Sequence, residues 1–497
     1  MADRPNIVFI MSDQQRYDTM SCYGAGWMRV PNLNALSEES FVFRNAYVSQ
    51  PVCTPARATI MSGLYPHTAG PIVNQIHLPE DTPVISEMVS SDYFKGYMGK
   101  WHLGNDLVAQ HGFDVWISAE DIGVGRYSRP ELRYLVSDYN HYLVEHGYKP
   151  DRVTNGLNVF SSDAHYDLPE EHQMASYLGD RAAEFIEENK DRPFILYVST
   201  FEPHSPYNGP FMDMYDPAGL PVGPAFLQKP DTASLVNRVR ADYFMQFMLD
   251  GVDQTNDEYM VRYAAPREDV ATELGWRTLR AHYMANITLV DRMVGKITFA
   301  LERSGVGDHT VVVFTSEHGD MMGDHGMLEK RAFYEEASRV PLMMKVPWLA
   351  KEQNMIEGSV GHIDLVPTLL DLVGEDIPAT LQGKSLQPVL RAQSDLNDND
   401  VFVQWNGTSE EVPDRFLGSD KINRMLALPW RSVITPDRWK LNLCAGDRCE
   451  LYDLTADPHE MSNLYDDPAQ IDRVRDMAAR VRIWQHETGD TAPLPAT

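Results

Sequence analysis

Ser49-Gln-Pro-Val-Cys53-Thr-Pro-Ala-Arg57-Ala-Thr-Ile-Met-Ser-Gly63 is the stretch around which the other chemically loaded segments of the chain arrange themselves. Pro51 and Pro55 favour extended backbone around Cys53 and argue against a helix there, whereas the run from Arg57 to Met61 can begin one directly afterwards. Cys53 is therefore expected at or just before a helix N-terminus. Unpaired backbone N–H groups and the positive end of a helix dipole favour an anion at such a place, and they lower the pKa of a thiol. A buried structural cysteine is the alternative reading of these residues on their own.

Working outward, polar residues recur wherever an apolar run ends. Asn6-Ile-Val-Phe-Ile-Met11 has the continuous apolar character of a strand buried on both faces of a mostly parallel sheet, and it runs into Ser12-Asp13-Gln14. Ligands of open α/β sheets gather beyond the carboxyl ends of strands, which makes Asp13 and Gln14 candidate site residues; an N-cap is the other use of Ser12 or Asp13. Pro193-Phe-Ile-Leu-Tyr-Val-Ser199 delivers His204 in the same manner, and His309-Thr-Val-Val-Val-Phe-Thr315 delivers Glu317 and His318, with Lys330 farther on. In Tyr97-Met-Gly-Lys100-Trp-His102-Leu-Gly104 the two basic residues are two apart, so an extended segment would turn both toward one anion. Asn74 either offers an amide to an oxyanion or makes a turn.

The chain has 497 residues, enough for one large domain and a smaller one, and its hydrophobic content of 43% is ordinary. Its 43 basic and 72 acidic residues give a net charge of -29, which argues against nucleic acid and anionic membranes as partners. The N-terminal sequence shows no signal peptide, and no apolar run is long enough to span a bilayer, so a cytoplasmic protein is expected. Four cysteines, Cys22, Cys53, Cys444 and Cys449, make no disulfide framework; Cys444 and Cys449 flank a turn and are expected reduced.

Helices are expected over Pro31–Ser40, Gln173–Asn189, Arg277–Arg303 and Gln470–His486, and strands over Phe41–Tyr47, Arg431–Ile434, Trp439–Leu443 and Glu450–Asp453. Residues 105–171 and 207–270 read as loop insertions over the site. Within the second, Tyr243–Leu249 reads as core or as the lining of a pocket or oligomer contact. The expected organisation is a larger unit, 1–390, followed by a smaller one with an antiparallel sheet and a terminal helix, 391–497.

Cys53-Thr-Pro-Ala-Arg57 with its following Ser62-Gly63, Gly99-Lys-Trp-His-Leu-Gly104, Pro203-His204-Ser-Pro206 and Glu317-His-Gly-Asp320 together resemble, in order, the motifs of type I sulfatases of the alkaline phosphatase superfamily. The resemblance implies an α/β fold with a large mixed, mostly parallel sheet between helices and a smaller C-terminal α+β part. It implies that a maturation enzyme oxidises Cys53 to formylglycine, the nucleophile, and that Asp13, Gln14, Cys53, Glu317 and His318 hold a divalent metal. Calcium is the expected ion, with manganese or magnesium as alternatives. Gln14 and His318 resemble the choline sulfatase and phosphonate monoester hydrolase branches, whereas Glu317 stands where the family carries aspartate.

By the same resemblance, Glu317 takes the nucleophile's proton. Arg57, Lys100 and Lys330 neutralise the transferred group, with Asn74, Lys100, His204 and Lys330 touching the substrate. His204, with Lys330, serves the leaving alcohol, and His102 releases sulfate. The expected reaction is hydrolysis of a sulfate monoester of a sugar or small alcohol. A phosphonate monoester or phosphodiester hydrolase and a non-catalytic sulfate-binding protein are the alternatives. A homo-oligomer is compatible with the pattern.

Overall fold

In the computed structural model, residues 4–121, 127–161, 164, 168–263, 268–407 and 420–496 are described. The extreme N-terminus, on which the signal-peptide expectation rests, and residues 122–126, 162–163, 165–167 and 264–267 of the two expected insertions lie outside them.

Apolar runs form the centre of the molecule. Strands β1 (Asn6–Ser12), β2 (Phe41–Tyr47), β3 (Phe94–Gly99), β4 (Val115–Ser118), β5 (Phe194–Ser199), β6 (Thr310–Ser316), β7 (Leu342–Lys345) and β8 (Asn354–Gly361) lie side by side in the order β8-β2-β7-β6-β1-β5-β3-β4, and Arg339–Val340 adds a short ninth strand on β2. All neighbours are parallel except β7, which runs antiparallel to both β2 and β6, and the short ninth strand, which is antiparallel to β2. Successive side chains of a strand point to opposite faces. Val8 and Ile10 of β1 accordingly join one core and Ile7, Phe9 and Met11 the other, which is why the run is apolar throughout rather than alternating.

Helices cover both faces. The first core packs under α1 (Pro31–Glu38), α3 (Met174–Asn189), α4 (Leu235–Leu249) and the long α5 (Glu273–Ser304), the second under α2 (Cys53–Ser62) and α6 (Leu365–Leu372). Gly305, with φ +74°, ends α5 as the sequence predicts. β3 and β5 approach so closely at Gly99 that a Cβ there would stand 1.9 Å from the Ser199 carbonyl oxygen, and φ is +100° as well. Beyond the main sheet, β9 (Val401–Trp405), β10 (Trp430–Ile434), β11 (Trp439–Leu443) and β12 (Glu450–Asp453) form an antiparallel sheet backed by α7 (Ile471–Thr488). Among the described residues no helix is long and apolar enough to cross a membrane.

Several expectations need correction. The helix begins at Cys53 itself rather than after Pro55: Pro55 falls in the first turn, where its missing N–H deprives the helix of nothing. Residues 105–171, expected as an insertion of loops and short elements, are not wholly an insertion, since Val115–Ser118 is the edge strand of the main sheet. Residues 207–270 carry α4; of the two readings of its Tyr243–Leu249 stripe, core is the one met, since Tyr243, Phe244, Met245 and Phe247 are buried in it. Val401–Trp405, directly after the polar stretch Arg391–Asp400 and not expected as regular structure, is a strand. Cys444 and Cys449 are free thiols in contact across their turn, as expected.

Candidate active site

The carboxyl ends of β1, β3, β4, β5 and β6 lie together, with the N-terminus of α2 beside them. Asp13 and Gln14 follow β1, Lys100 follows β3, Glu120 follows β4, His204 lies beyond β5, and Glu317 and His318 follow β6. Asp13, Cys53, Glu317 and His318 are all buried and bring one ligand atom each to within 4.8 Å of one another. His318 Nδ1 donates to the Gly319 carbonyl at 2.9 Å, which turns Nε2 toward Cys53 Sγ at 3.2 Å, Glu317 Oε1 at 3.3 Å and Asp13 Oδ1 at 3.7 Å. Asp13 Oδ1 and Glu317 Oε1 have no hydrogen-bond partner among the described residues. Buried carboxylate oxygens left unpaired are costly, and two of them converging on an imidazole nitrogen and a thiol suit a divalent cation. The residues present therefore fit the ion that the sequence implies.

Charge sets the protonation of this cluster. Burial works against ionisation of Asp13, but the Lys100 ammonium 2.5 Å away overrides it and holds the carboxyl well below the usual carboxylate range. Burial pushes the Glu317 carboxyl up to about 7, against the pull of Arg57 and with the help of the Asp13 charge. Cys53 is pulled the other way: burial disfavours its thiolate, yet Lys330 brings it down to about 5. Burial would also keep His318 neutral, but the Cys53 thiolate pushes it up to about 9. A bound cation would take the place of these protons.

The remaining predicted residues surround the cluster in ways the sequence did not wholly anticipate. Gln14, at φ +66°, accepts from Lys330 Nζ with its side-chain oxygen, while its amide donates to Asp320 and, at 3.4 Å, to Tyr207. Lys330 Nζ also donates to His204 Nε2 at 2.9 Å, and His204 Nδ1 donates to the Ser205 carbonyl at 2.7 Å. Burial and the Lys330 charge hold the His204 pKa well below its usual value, so this ring is neutral.

Arg57 pairs with Glu317 through Nε, and its Nη1 donates to the Lys100 carbonyl at 2.6 Å and to Ser199 Oγ at 2.9 Å. The expectation that Lys100 and His102 share one face of an extended segment fails, because β3 stops at Gly99 and His102 is left-handed at φ +55°. His102 is nonetheless drawn in: its N–H donates to Asp106 at 2.9 Å, its carbonyl accepts from Thr54 Oγ1 at 3.0 Å, and Nδ1 is buried without a hydrogen-bond partner among the described residues. Burial together with Lys100 and Arg57 keeps that ring neutral. Asn74 is engaged through its oxygen, which accepts the Thr54 N–H at 3.0 Å and so caps α2.

Sequence reasoning missed three buried groups. Glu120 lies 4.0 Å from Lys100 Nζ, and burial pushes its carboxyl up to about 7 against the pull of Lys100. Asp106 is pushed up to about 7 by burial and by Glu120. Arg240 of α4 donates to the carbonyls of Arg331, Leu328 and Lys330 at 3.0, 3.4 and 2.6 Å. The apolar run Val115–Ser118 ahead of Glu120 was a usable signal for the first; the other two had none.

Comparison with known proteins agrees with this geometry. Residues 5–375 match the family described as Sulfatase, and residues 323–487 match the C-terminal family of N-sulphoglucosamine sulphohydrolase. The chain belongs to the sulfatase family. This sulfatase is accordingly an enzyme that hydrolyses sulfate esters. It is similar to the choline-sulfatase of Rhizobium meliloti, 29% identical over 511 residues that cover 98% of this chain and 88% of the relative. The N-acetylglucosamine-6-O-sulfatase of Bacteroides thetaiotaomicron is 25% identical over 531 residues, covering 99% and 88%. Among solved structures, one in complex with its substrate D-glucosamine-2-N,6-O-disulfate superposes with a TM-score of 0.77 at 22% identity, covering 99% of both chains. The phosphonate monoester hydrolase of Silicibacter pomeroyi does so with 0.78 at 23% identity, covering 98% of this chain and 96% of that one. At those identities the likeness speaks for the fold alone.

Proposed function

We propose that this sulfatase cleaves a sulfate monoester of a sugar or small alcohol with a formylglycine made from Cys53 by a separate maturation enzyme. The observation that carries the reading is the convergence of Cys53 with Asp13, Glu317 and His318 between two lysines. Asp13, residue 53, Glu317 and His318 would hold a divalent ion, calcium with manganese or magnesium as alternatives, with Gln14 alongside. Such an ion supplies Lewis-acid polarisation and a fixed template for the reacting oxygens. Residues 1–390 are taken as the catalytic unit and 391–497 as its smaller companion, which the separate sheets support.

The residues of the chain then divide the work. Glu317, ionised when a cation stands in place of its proton, accepts the proton of one hydroxyl of the formylglycine hydrate. The freed oxygen bonds to sulfur as the bond from sulfur to the alcohol oxygen breaks, leaving sulfate on residue 53. Lys100 and Lys330 offset the charge on the transferred oxygens, and Arg57 acts behind them by steadying Glu317 and the Lys100 backbone. The Lys330–His204 pair delivers the proton to the departing alcohol; His204 is neutral, so Lys330 is its source. His102, also neutral and with an unpaired Nδ1, takes the proton of the second hydroxyl. A C=O bond forms as sulfate leaves, and water restores the hydrate.

The relatives that cleave choline sulfate and N-acetylglucosamine-6-O-sulfate support a small alcohol or a sugar as the substrate's other half. The test compares kcat/KM for an aryl sulfate and an aryl phosphonate on protein co-expressed with a formylglycine-generating enzyme. Cys53→Ala is expected to lose about 10⁴-fold or more in kcat. A phosphonate preference would replace the reaction proposed here, and full activity in the variant would end the formylglycine mechanism.

A further inference from the structure

A carboxyl group beside a sulfate-binding lysine is a liability. Lys100 already has its counter-charge in Asp13 at 2.5 Å, yet Glu120 brings a second carboxyl to 4.0 Å from the same Nζ. Whenever it is ionised it repels the anion that Lys100 is placed to receive, and screening by water is weak because Glu120 is only 8% exposed. Its Oε1 is buried and has no hydrogen-bond partner among the described residues. Tyr127 is 1% exposed, its hydroxyl is likewise unpartnered, and it lies in the field of Asp106, Asp121 and Glu120. Asp121 is engaged with Ser137 and Asn140, and Asp106 with the His102 N–H, so neither answers Glu120 or Tyr127. Just past β4, Glu120 thus presents next to Lys100 an acceptor with no hydrogen-bond partner among the described residues, and Tyr127, in its field, a phenol likewise unpartnered among them.

Resting on the sulfatase reading above, we propose that Glu120 selects the alcohol half of the substrate by accepting a hydrogen bond from a hydroxyl or N–H group carried within a few bonds of the sulfate, as in a sulfated sugar or amino sugar. An ester without such a donor leaves the carboxyl unpaired and meets only its repulsion; a donor-bearing ester converts the same group into an anchor. Tyr127 assists from the same side.

The test is Glu120→Gln in the matured, metal-loaded enzyme, with kcat and KM measured for 4-nitrophenyl sulfate and glucosamine 6-sulfate. The two substrates should move in opposite directions: kcat/KM for the amino sugar falls by about tenfold or more, mainly through KM, while that for the aryl sulfate rises by about two- to fivefold as the repulsion is relieved. Equal falls on both would make Glu120 a support for Lys100 and overturn the proposal, as would no change on either, or a wild type that cleaves the aryl ester alone. Should Glu120→Gln fail to fold, Tyr127→Phe, which removes one oxygen, is expected to lower only the amino-sugar rate, by about threefold; no selective loss counts against the proposal. A wild type that prefers phosphonates defeats the reaction assigned above but not Glu120, which the corresponding pair of phosphonate esters would then test.

Discussion

Lys100 and Lys330 face the same buried cluster, and they are held there by opposite means. Lys100 is the first residue past β3; its N–H donates to the Ser199 carbonyl at 2.8 Å, and Arg57 and Asp13 hold its carbonyl and ammonium. Strand ends and α2 supply every one of these contacts. Lys330 instead sits in a long loop in which Met322, His325, Glu329 and Arg331 all have positive φ, a conformation that costs non-glycine residues roughly 1 kcal/mol or more apiece.

That loop is tied down from far away. Arg240 holds three of its carbonyls, and the Arg331 N–H donates to the Pro51 carbonyl at 3.0 Å. Lys440 of β11 donates to the Phe333 carbonyl at 2.7 Å and pairs with Glu335 and Glu460 at 2.8 Å each. The α4 helix that bears Arg240 is itself capped from the antiparallel sheet: Asp447 accepts the N–H groups of Leu235 and Val236 at 2.9 Å each. One of the two charges is a by-product of the sheet, and the other needs both halves of the molecule.

The sharpest way to break this contrast is to delete each charge. Lys100→Ala and Lys330→Ala are both expected to lower kcat by about 10²- to 10³-fold, but only Lys100→Ala strips Asp13 of its counter-charge, so only that variant should alter metal affinity in a calcium titration. Equal effects on metal binding would erase the distinction. A smaller effect is expected from Arg240→Met, which leaves every substrate contact in place and loosens the Lys330 loop: kcat falls by about tenfold while metal affinity holds, and Arg240→Lys recovers part of the loss. Unchanged kcat would mean that the antiparallel sheet alone suffices.

The smallest effect concerns pH. Burial would raise the Glu329 carboxyl, but Arg331 and Lys330 override it and bring it down to about 2 from a usual 4.5. A carboxyl depressed in the folded state adds stability above its unfolded pKa and loses it as pH falls toward the folded value. The gap in Tm between wild type and Glu329→Gln is therefore expected to be widest above pH 5 and to close as pH falls toward 2. A gap independent of pH would remove Glu329 from the forces holding the loop.

This contrast also explains what could be read from the sequence. Asp13, His204, Glu317 and His318 follow apolar runs that announce themselves as strands, so their convergence at one end of the sheet was legible in the residue pattern alone, whereas Phe94–Gly99 ahead of Lys100 carries no such run. The strands Leu342–Lys345 and Val401–Trp405 went unseen because they are short and carry no sharp turn signal, and Asn354–Gly361 because its exposed half reads as loop. Arg240, Lys440 and Glu460 were illegible for a different reason: each acts on a backbone group or charge roughly a hundred residues away, and no local pattern encodes that partner. His102 was placed near the site for the wrong geometric reason, since its left-handed φ cancels the alternation on which that step relied.

The grip of Lys440 and Glu460 on the segment beside Lys330 also orders events during synthesis. A ribosome will have released the residues for the whole central sheet, and every ligand of the cluster, before the two side chains that fix Phe333 and Glu335 exist. The nascent chain can assemble its metal pocket early, but the lysine opposite settles only after the closing hairpin has emerged, so catalytic competence is the last property the growing chain acquires.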